Sequence, residues 1–201
     1  MSTAAIVLAA GASRRMGRNK LLLPVDGEPL VRRTVRRALE AGLAPVVVVL
    51  GHESEAARAA LAGLPVRVAT SPDPTGPTSA SLHAGLDALA GGDGAHPEPS
   101  TDAVVVLLAD MPHVTTAMLS ALRSAAQADA APLHVSRYGD VHAPPLLFRR
   151  ALWADLRAWH GEGCGKAVVR AHLAEATLHD WPAAALQDVD TPADYAALTA
   201  R

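Results

Sequence analysis

The sequence predicts an α/β fold in which helices cover both faces of a mostly parallel, doubly wound sheet. One reason is the order of patterns: short apolar runs alternate with helical patterns through the first two thirds of the chain, as in parallel strands joined by helices. The other reason is composition. Half of the 201 residues are apolar but only 3% are aromatic. Alanine, valine and leucine must therefore build the core, which suits buried parallel strands under alanine-rich helices.

The predicted elements of the first two thirds follow one another regularly. Apolar runs predict strands at residues 6–8, 45–50, 65–69 and 104–108. Helical patterns predict helices at residues 29–42, 53–62, 79–89 and 115–128. Residues 71–78 and 91–101 are rich in proline or glycine, so we expect loops there, the second of them exposed. The first helix contains four arginines that we expect on a solvated face, namely Arg32, Arg33, Arg36 and Arg37.

The last third of the chain is less regular. Candidate strands at residues 133–136 and 146–148 flank an expected loop at 138–145. Helical patterns follow at 151–159 and 166–173, and residues 188–192 lead into a final short helix. We find no internal repeat and no domain boundary in the sequence. The expectation is one domain over residues 1–201.

Charge and cysteine content exclude several classes of protein. The net charge of −2 argues against a general nucleic-acid binder, which would show a basic surplus. Cys164 is the single cysteine, so neither an intrachain disulfide nor a cysteine-rich zinc site is expected, and a cytoplasmic location is the default. The apolar run at residues 4–10 is too short to span a membrane. Arg14 and Arg15 follow that run, which is the wrong order for a signal peptide.

An unusual loop follows the first predicted strand, where ligands bind in open α/β sheets. Gly11 and Gly17 can adopt backbone angles that are closed to other residues. Small neighbouring side chains would let backbone N–H groups approach a phosphate; they belong to Ala9, Ala10, Ala12 and Ser13. The cations that a triphosphate requires are Arg14, Arg15 and Lys20. The loop therefore predicts phosphate binding, with a merely basic turn as the alternative.

Two carboxylate segments also follow predicted strands. Asp110 comes directly after the run at 104–108, where a carboxylate would face the ligand crevice and suit Mg²⁺, although a helix cap is the alternative. Asp188 and Asp190 are two positions apart, so in an extended segment they face the same way. Asp190 could equally start the last helix. Its assignment to the site depends on whether the fold brings it near Asp110.

Residues 8–24, LAAGASRRMGRNKLLLP, resemble the signature loop of the MobA-like nucleotidyltransferases, and are most similar to the molybdenum cofactor cytidylyltransferase branch. Two further motifs of that family have matches in the same order. Residues 110–112 (DMP) match the end of a family strand, and residues 188–192 (DVDTP) match a segment near the family's C-terminus. The three matches together span nearly the whole chain.

The resemblance implies a Rossmann-like three-layer sandwich of the nucleotide-diphospho-sugar transferase type. It implies Mg²⁺-dependent transfer of a nucleoside monophosphate from a triphosphate, with release of pyrophosphate. Lys20, Arg15 and Asp110 would be catalytic, and Asp110 and Asp190 would hold the metal. The loop begins Ala-Ala-Gly rather than Ala-Gly-Gly, which favours CTP. The implied nucleotide-binding residues are Leu8, Ala9, Ala10, Gly11, Ala12, Ser13, Arg14, Gly17, Lys20, Ser79, Ser81 and Leu82.

The resemblance also implies a small phosphorylated acceptor such as molybdopterin cofactor, with a molybdoenzyme or its chaperone as a further partner. His142 stands where the family often has Gly-His-Pro, and Glu162 and Lys166 stand where it has a Gly-Asp-x-Gly-Ala-Arg type of segment. These three residues are the acceptor-site candidates. In the segment expected to recognise the base, Pro77 removes a backbone donor and departs from the family pattern.

Three other functions stay open at this point. One is a related transferase that uses GTP or another nucleotide with a different acceptor. Another is a family member with oxidoreductase activity on a small heterocycle, although the dinucleotide glycine pattern is missing after the first strand. The third is a silent binding protein or cofactor chaperone, although Lys20, Asp110 and Asp190 are all present.

Overall fold

The computed structural model describes residues 1–11, 13, 15–51, 54–91, 101–163 and 165–200. The predictions for Ala12, Arg14 and most of the loop at 91–101 lie outside these described residues. Within them are nine strands: β1 Thr3–Ala9, β2 Pro24–Val25, β3 Glu28–Pro29, β4 Val46–Leu50, β5 Arg67–Thr70, β6 Ala103–Leu108, β7 Leu133–Tyr138, β8 Val141–Arg149 and β9 Thr177–Trp181. The seven α-helices of the same residues are α1 Leu30–Glu40, α2 Glu55–Ala60, α3 Thr78–Ala90, α4 Thr116–Ala128, α5 Trp153–Ala158, α6 Lys166–His172 and α7 Pro192–Thr199.

Seven strands form one sheet in the order β5–β4–β1–β6–β8–β7–β9, and β2 pairs with β3 in a small separate hairpin. All of the sheet strands run parallel except β8, which is antiparallel to both of its neighbours. The carboxyl ends of β1, β4, β6 and β7 therefore meet at one edge. The predicted mostly parallel, doubly wound α/β sheet is confirmed.

Alternate residues of the central strands enter two separate cores, which makes the fold three layers deep. On one face, β1 packs through Ala5 and Val7 against α1, α2 and α4. On the other face, Ile6 and Leu8 of β1 pack against α3, α5 and α6. Strands buried on both faces need apolar side chains at every position, and β4 consists of four valines and a leucine, all buried. None of the described helices is both long enough and apolar enough to span a membrane.

The last third differs from prediction in two places. The loop expected at 138–145 is wrong, because β7 and β8 form a hairpin that turns at Gly139, whose φ is +61°. The register shifts where Pro144 and Pro145 lie, since proline has no N–H for the ladder; Ser136 Oγ instead donates to Pro145 O at 2.7 Å. The strand β9 at the sheet edge was not predicted, because polar and apolar residues there are only partly buried.

The solvated arginine face predicted on α1 is wrong for two of its members and only partly right for the rest. Arg32 donates to the carbonyl oxygens of Ala60 and Ala62, at 2.8 and 2.9 Å. Arg37 donates to the carbonyl oxygens of Pro112 and Val114, at 2.7 and 2.6 Å. α1 lies between α2 and the segment after β6, so these side chains satisfy carbonyls at the ends of neighbouring elements. Arg33 is also largely buried, whereas the side chain of Arg36 is 41% exposed.

Candidate active site

Lys20 begins a short 3₁₀ turn, Lys20–Leu22, that closes the loop after β1. Its backbone N–H donates to Ser13 Oγ at 3.2 Å, and Asn19 Oδ1 caps the turn by accepting from Leu21 N at 3.1 Å. Met16 is buried beneath the loop in a small apolar cluster. These contacts fix the backbone of Lys20 and direct its side chain to the carboxyl edge of the sheet.

Asp110 follows β6 at the same edge. The next residue back, Ala109, donates its N–H to Leu8 O of β1 at 3.0 Å, so the β1–β6 pairing continues up to Asp110. The helix-cap alternative for Asp110 is wrong. The helix that follows, α4, is capped by Thr115, whose hydroxyl accepts from Met118 N at 3.2 Å.

Asp190 is brought to Asp110 by a backbone contact between distant parts of the chain. Val189 is 1% exposed, packs in the same apolar cluster as Met16, and donates its N–H to Asp110 O at 3.0 Å. Asp190 does not cap the final helix, because Thr191 and Asp194 form a reciprocal capping box there. The Asp190 carboxylate is therefore available to the site.

The three predicted residues meet in one charged cluster. Lys20 Nζ donates to Asp110 Oδ2 and to Asp190 Oδ1, both at 2.6 Å. Arg15 pairs with the second oxygen of Asp190 from the solvent side. The Lys20 side chain is 9% exposed and both aspartates are 21% exposed, whereas Arg15 is 71% exposed. The cluster thus has a buried cation at its centre and an exposed one at its rim.

The cluster keeps Lys20 and Asp190 charged. Burial alone would lower the pKa of Lys20, but the charge and hydrogen bond of Asp110, together with those of Asp190, raise it above 10.5. Burial alone would raise the pKa of Asp190, but Lys20 and then Arg15 lower it below 3.8. At neutral pH, Lys20 is therefore a cation and hydrogen-bond donor, not a base.

The Asp110 carboxylate has one oxygen that suits a divalent metal. Asp110 Oδ1 is buried and accepts no hydrogen bond from the described residues. A buried acceptor without a donor is costly unless something else satisfies it, and carboxylate oxygen is a hard ligand of the kind that Mg²⁺ prefers. In the described part of the chain, no group of three or more His, Cys, Asp or Glu side chains is arranged to hold a metal. Any metal here would need oxygen ligands from a substrate or water as well.

Two adjoining cavities lie over the carboxyl end of β1. The larger, about 610 Å³, extends from the loop that contains Gly11 and Gly17, called the glycine loop, towards Gly51 and Ser54 after β4. The smaller, about 160 Å³, contains Lys20, Asp110 and Thr78 in its walls. Ala9, Ala10, Gly11, Leu21 and Pro74 line both. The combined space is in the range of small-molecule sites and ends at the charged cluster.

The glycine loop is built partly as predicted. Gly17 has a φ of +70°, a conformation that favours glycine. Gly11 does not have positive φ, so the backbone argument for it is wrong. A Cβ placed on Gly11 would meet nothing within 4 Å, which means that the missing side chain leaves open space in the cleft. Ser13 adopts a φ of +49° and uses its hydroxyl to hold Lys20 rather than merely being small.

Three of the expected nucleotide-binding residues, Ser79, Ser81 and Leu82, occupy different environments. Ser81 lines the smaller cavity, where its hydroxyl donates to Ser71 Oγ at 3.0 Å. Ser79 is 2% exposed and accepts from Gly161 N at 3.0 Å. Leu82 is fully buried in the core against the sheet, so its side chain does not line either cavity. An apolar residue one turn into α3 packs inward, which corrects the expectation for Leu82.

The acceptor candidates are also divided. His142 and Lys166 line a cavity of about 240 Å³ between the β7–β8 turn and α6. Arg170 lines it too and was missed, although its spacing of four from Lys166 on a predicted helix could have indicated it. Glu162 lies elsewhere: its Oε2 accepts from the backbone N and the hydroxyl of Thr78, at 3.2 and 2.6 Å. It therefore caps α3 and is not in this cavity.

Two curated relatives are similar to this chain over nearly its whole length. PucB of Bacillus subtilis, a purine catabolism protein, is 33% identical over 199 residues, covering 94% of this chain and 92% of PucB. A probable molybdenum cofactor guanylyltransferase of Synechococcus elongatus is 32% identical over 206 residues, covering 98% of both chains.

Among solved structures, Rv0371c of Mycobacterium tuberculosis is similar over the whole fold. The TM-score is 0.82 at 27% identity, covering 100% of this chain and 99% of that one. A second structure of Rv0371c is a complex with manganese, with a TM-score of 0.76. The family model of the MobA-like NTP transferase domain matches residues 5–177. This range contains Asp110 and, in chain order, the strands β4 to β8. By these matches, the chain belongs to the MobA-like NTP transferase family.

Proposed function

We propose that this protein transfers CMP from CTP to a phosphorylated small acceptor, such as molybdopterin cofactor, and releases pyrophosphate. The observation that supports this best is the cluster of Lys20, Asp110 and Asp190 at the end of a cleft lined by the glycine loop. The cluster combines a fixed cation with two carboxylates. That combination serves phosphoryl-type chemistry, in which positioning and charge neutralisation matter more than covalent catalysis.

The triphosphate would lie along the loop after β1. Gly11 leaves room for it, and the exposed guanidinium of Arg15 can turn from Asp190 to phosphate oxygens. Gly17 and Ser13 hold the backbone in left-handed conformations that shape the turn. Nucleotide binding along this cleft is supported by the expected residues that line it, namely Leu8, Ala9, Ala10, Gly11, Ser13, Gly17, Lys20 and Ser81.

Lys20 is proposed as the main catalytic cation. Its raised pKa keeps it protonated, and its position between the carboxylates allows it to exchange one of them for an oxygen of the α-phosphate. Asp110 and Asp190 would hold Mg²⁺, and Asp110 Oδ1 is a ready acceptor for it. When bound, the metal would neutralise negative charge on the phosphate oxygens.

The acceptor would supply the nucleophile. An oxygen of its phosphate forms a bond to the α-phosphorus of CTP, the bond from that phosphorus to the bridging oxygen breaks, and the pair of electrons leaves with pyrophosphate. Lys166 and Arg170 of α6, with His142 of β8, would bind the acceptor phosphate in the 240 Å³ cavity. Both cations belong to α6 and can pair with an anion, and together they outnumber Asp140, the carboxylate that lines the same cavity.

The choice of donor nucleotide rests on Ala10, which lines both cleft cavities. Its methyl group narrows the space compared with the glycine of an Ala-Gly-Gly loop, and this favours a pyrimidine. GTP is the second candidate, because the Synechococcus elongatus relative is named a probable molybdenum cofactor guanylyltransferase.

The test is a thermal-shift screen of the purified protein with CTP, GTP, ATP and UTP, each with and without Mg²⁺. A ligand that binds only the native state stabilises it by about 2.7 kcal/mol at 100 times its Kd. We expect a magnesium-dependent increase in Tm that is largest with CTP. The largest shift with GTP would move the donor to guanylyl transfer. No shift with any nucleotide would contradict the proposal and favour the oxidoreductase or binding-protein alternatives.

A further inference from the structure

A second polar cavity lies outside the nucleotide cleft. It measures about 390 Å³ and is bounded by α1, the segment that follows Asp110, and the end of α7. No residue lines both this cavity and either cavity of the cleft. The proposed reaction gives it no role. Its walls nevertheless contain two of the arginines that the sequence had suggested were solvated, Arg33 and Arg37.

Arg33 has incomplete partners. Its Nη1 lies 2.7 Å from Asp26 Oδ2, but the Asp26 side chain is 74% exposed, whereas that of Arg33 is only 15% exposed. Its Nε is buried and has no hydrogen-bond partner among the described residues. A solvated carboxylate compensates a largely buried guanidinium weakly, because water screens the pair. Arg33 therefore retains binding capacity for an anion.

Arg37 adds a second guanidinium whose partners are neutral. Its Nη1 donates to the carbonyl oxygens of Pro112 and Val114. Burial, followed by the neighbouring charges of Arg33 and Arg36, lowers the pKa of Arg37 from its ordinary value. Carbonyl groups satisfy the donors but do not cancel the charge. Asp26 lines the same cavity, but the two arginines together leave a net positive charge in the recess.

We propose that this cavity binds the phosphate group of a small molecule. Two guanidinium groups on one helix offer planar, paired donors, which match phosphate oxygens better than single ammonium groups do. Thr115 forms part of the wall and is the N-cap of the thirteen-residue helix α4, so the positive end of that helix dipole lies beside the arginines. The volume accommodates more than the phosphate itself, up to a small phosphomonoester.

The experiment is a titration of the full-length protein, followed by ¹H–¹⁵N NMR with the backbone amides and arginine Nε groups assigned. Inorganic phosphate is added at constant ionic strength. We expect saturable shifts of the Thr115 amide and of Arg33 Nε. The Gly11 amide reports separately on phosphate binding in the nucleotide cleft. Binding at one site can therefore be present while binding at the other is absent.

Arg33→Gln should weaken the affinity for phosphate, measured at the Thr115 amide, roughly tenfold or more, as expected for one charge-assisted hydrogen bond. Arg36→Gln is the matched control, because it removes the same charge from the same helix but does not line the cavity, and it should bind as the wild type does. If Arg33→Gln does not fold, Thr199→Glu places a negative charge at the exposed rim and should weaken binding similarly.

Parallel titrations with glycerol 3-phosphate and acetate identify the ligand chemistry. Tighter binding of glycerol 3-phosphate would support a phosphomonoester, and tighter binding of inorganic phosphate would support the free ion. Acetate binding as tightly as phosphate would overturn the assignment to phosphate. The site itself would be refuted by a Thr115 amide that does not respond saturably, or by a response that neither Arg33→Gln nor Thr199→Glu weakens.

Discussion

Two clusters of ionisable side chains lie towards opposite ends of the strands of one sheet, and one of them is charged whereas the other is neutral. At the carboxyl edge, Lys20 stands charged between Asp110 and Asp190, and the cluster opens into a cleft. Near the start of β7, His134 Nδ1 lies 3.2 Å from His179 Nε2, and neither ring lines any of the cavities described above.

The histidine pair is kept neutral. His134 is completely buried, and its Nε2 lies 3.3 Å from Asp129 Oδ1 without hydrogen-bond geometry. Burial lowers the pKa of both histidines below 6.5, although Asp129 acts in the opposite direction. Of these two clusters, the one that retains its charge and opens into a cavity is the candidate site, whereas the histidine pair lines none of the cavities described above.

The largest effect should follow from removing charge at the cluster of Lys20, Asp110 and Asp190, called the open cluster because it adjoins the cleft. Lys20→Ala and Asp110→Asn should each lower the rate of nucleotidyl transfer roughly 10²–10³-fold, by analogy with removing one preorganised donor from an oxyanion hole. The measurement is pyrophosphate release with CTP and acceptor, with circular dichroism to confirm folding. The control is Asp129→Asn in the closed cluster, which consists of Asp129, His134 and His179. This variant should keep wild-type activity. Full activity in Lys20→Ala would break the distinction between the clusters.

A methyl group in the cleft should have the next largest effect. Gly11→Ala should weaken nucleotide binding roughly tenfold, because a Cβ there meets no protein atom within 4 Å and projects into space that the phosphates would use. Stability should be unchanged, since Gly11 does not need positive φ. Calorimetric titration with CTP measures the affinity. Gly91→Ala is the matched control, because Gly91 also has no positive φ and lines neither cavity of the cleft.

The closed cluster should respond to pH where the open one does not. A histidine whose pKa is lowered on folding contributes stability that is complete above its unfolded pKa of 6.5 and is lost as the pH falls through its folded pKa. The pKa of Lys20 is raised and that of Asp190 is lowered, so both shift away from neutral pH. Their contributions to stability are therefore lost only above pH 10.5 for Lys20 and below pH 3.8 for Asp190. We therefore expect the free energy of unfolding to decrease as the pH falls below 6.5, so that it is lower at about pH 5 than at about pH 7.5.

The matched variants for that experiment are His179→Asn and His142→Asn. Denaturant unfolding should show a smaller loss between the two pH values for His179→Asn than for wild type. His142→Asn, on a strand of the same sheet, should lose as much as wild type. An equal loss in all three proteins would show that the acid sensitivity arises elsewhere.

The smallest effect concerns Glu162, a carboxylate that the sequence suggested for the acceptor site. Because it accepts two hydrogen bonds from Thr78 at the start of α3, Glu162→Ala should lower the free energy of unfolding by roughly 0.5–2 kcal/mol, the range for lost helix caps. Glu175→Ala, at another exposed carboxylate, should have less effect. A change in the acceptor KM without a change in stability would return Glu162 to the acceptor site.

Local patterns were sufficient for the part of the site that sits on buried strands. Asp110 is predictable because it ends an unbroken apolar run, and Lys20 because it closes a loop of small and basic residues. Asp190 needed the fold, since the bond from Val189 N to Asp110 O joins residues far apart in sequence. No local pattern contains that bond, so the sequence left Asp190 between a site residue and a helix start.

The acceptor side was predicted less well because its elements are only partly buried. β9 has alternating half-buried and exposed residues rather than an apolar run, and it lies at the edge of the sheet. The prolines at 144 and 145 suggested a loop, whereas the strand accommodates them at a shift in register. Glu162 was assigned by the resemblance to a family segment, and only its contact with Thr78 shows that it caps α3.

The most direct test of the central claim is calorimetric titration of CTP into the wild-type protein and Asp110→Asn, each with Mg²⁺ and with a chelator. We expect the wild-type affinity for CTP to fall when Mg²⁺ is removed, and Asp110→Asn to lose most of this dependence while remaining folded. Equal wild-type affinity with and without Mg²⁺, or full magnesium dependence in Asp110→Asn, would contradict the role given to the Lys20, Asp110 and Asp190 cluster.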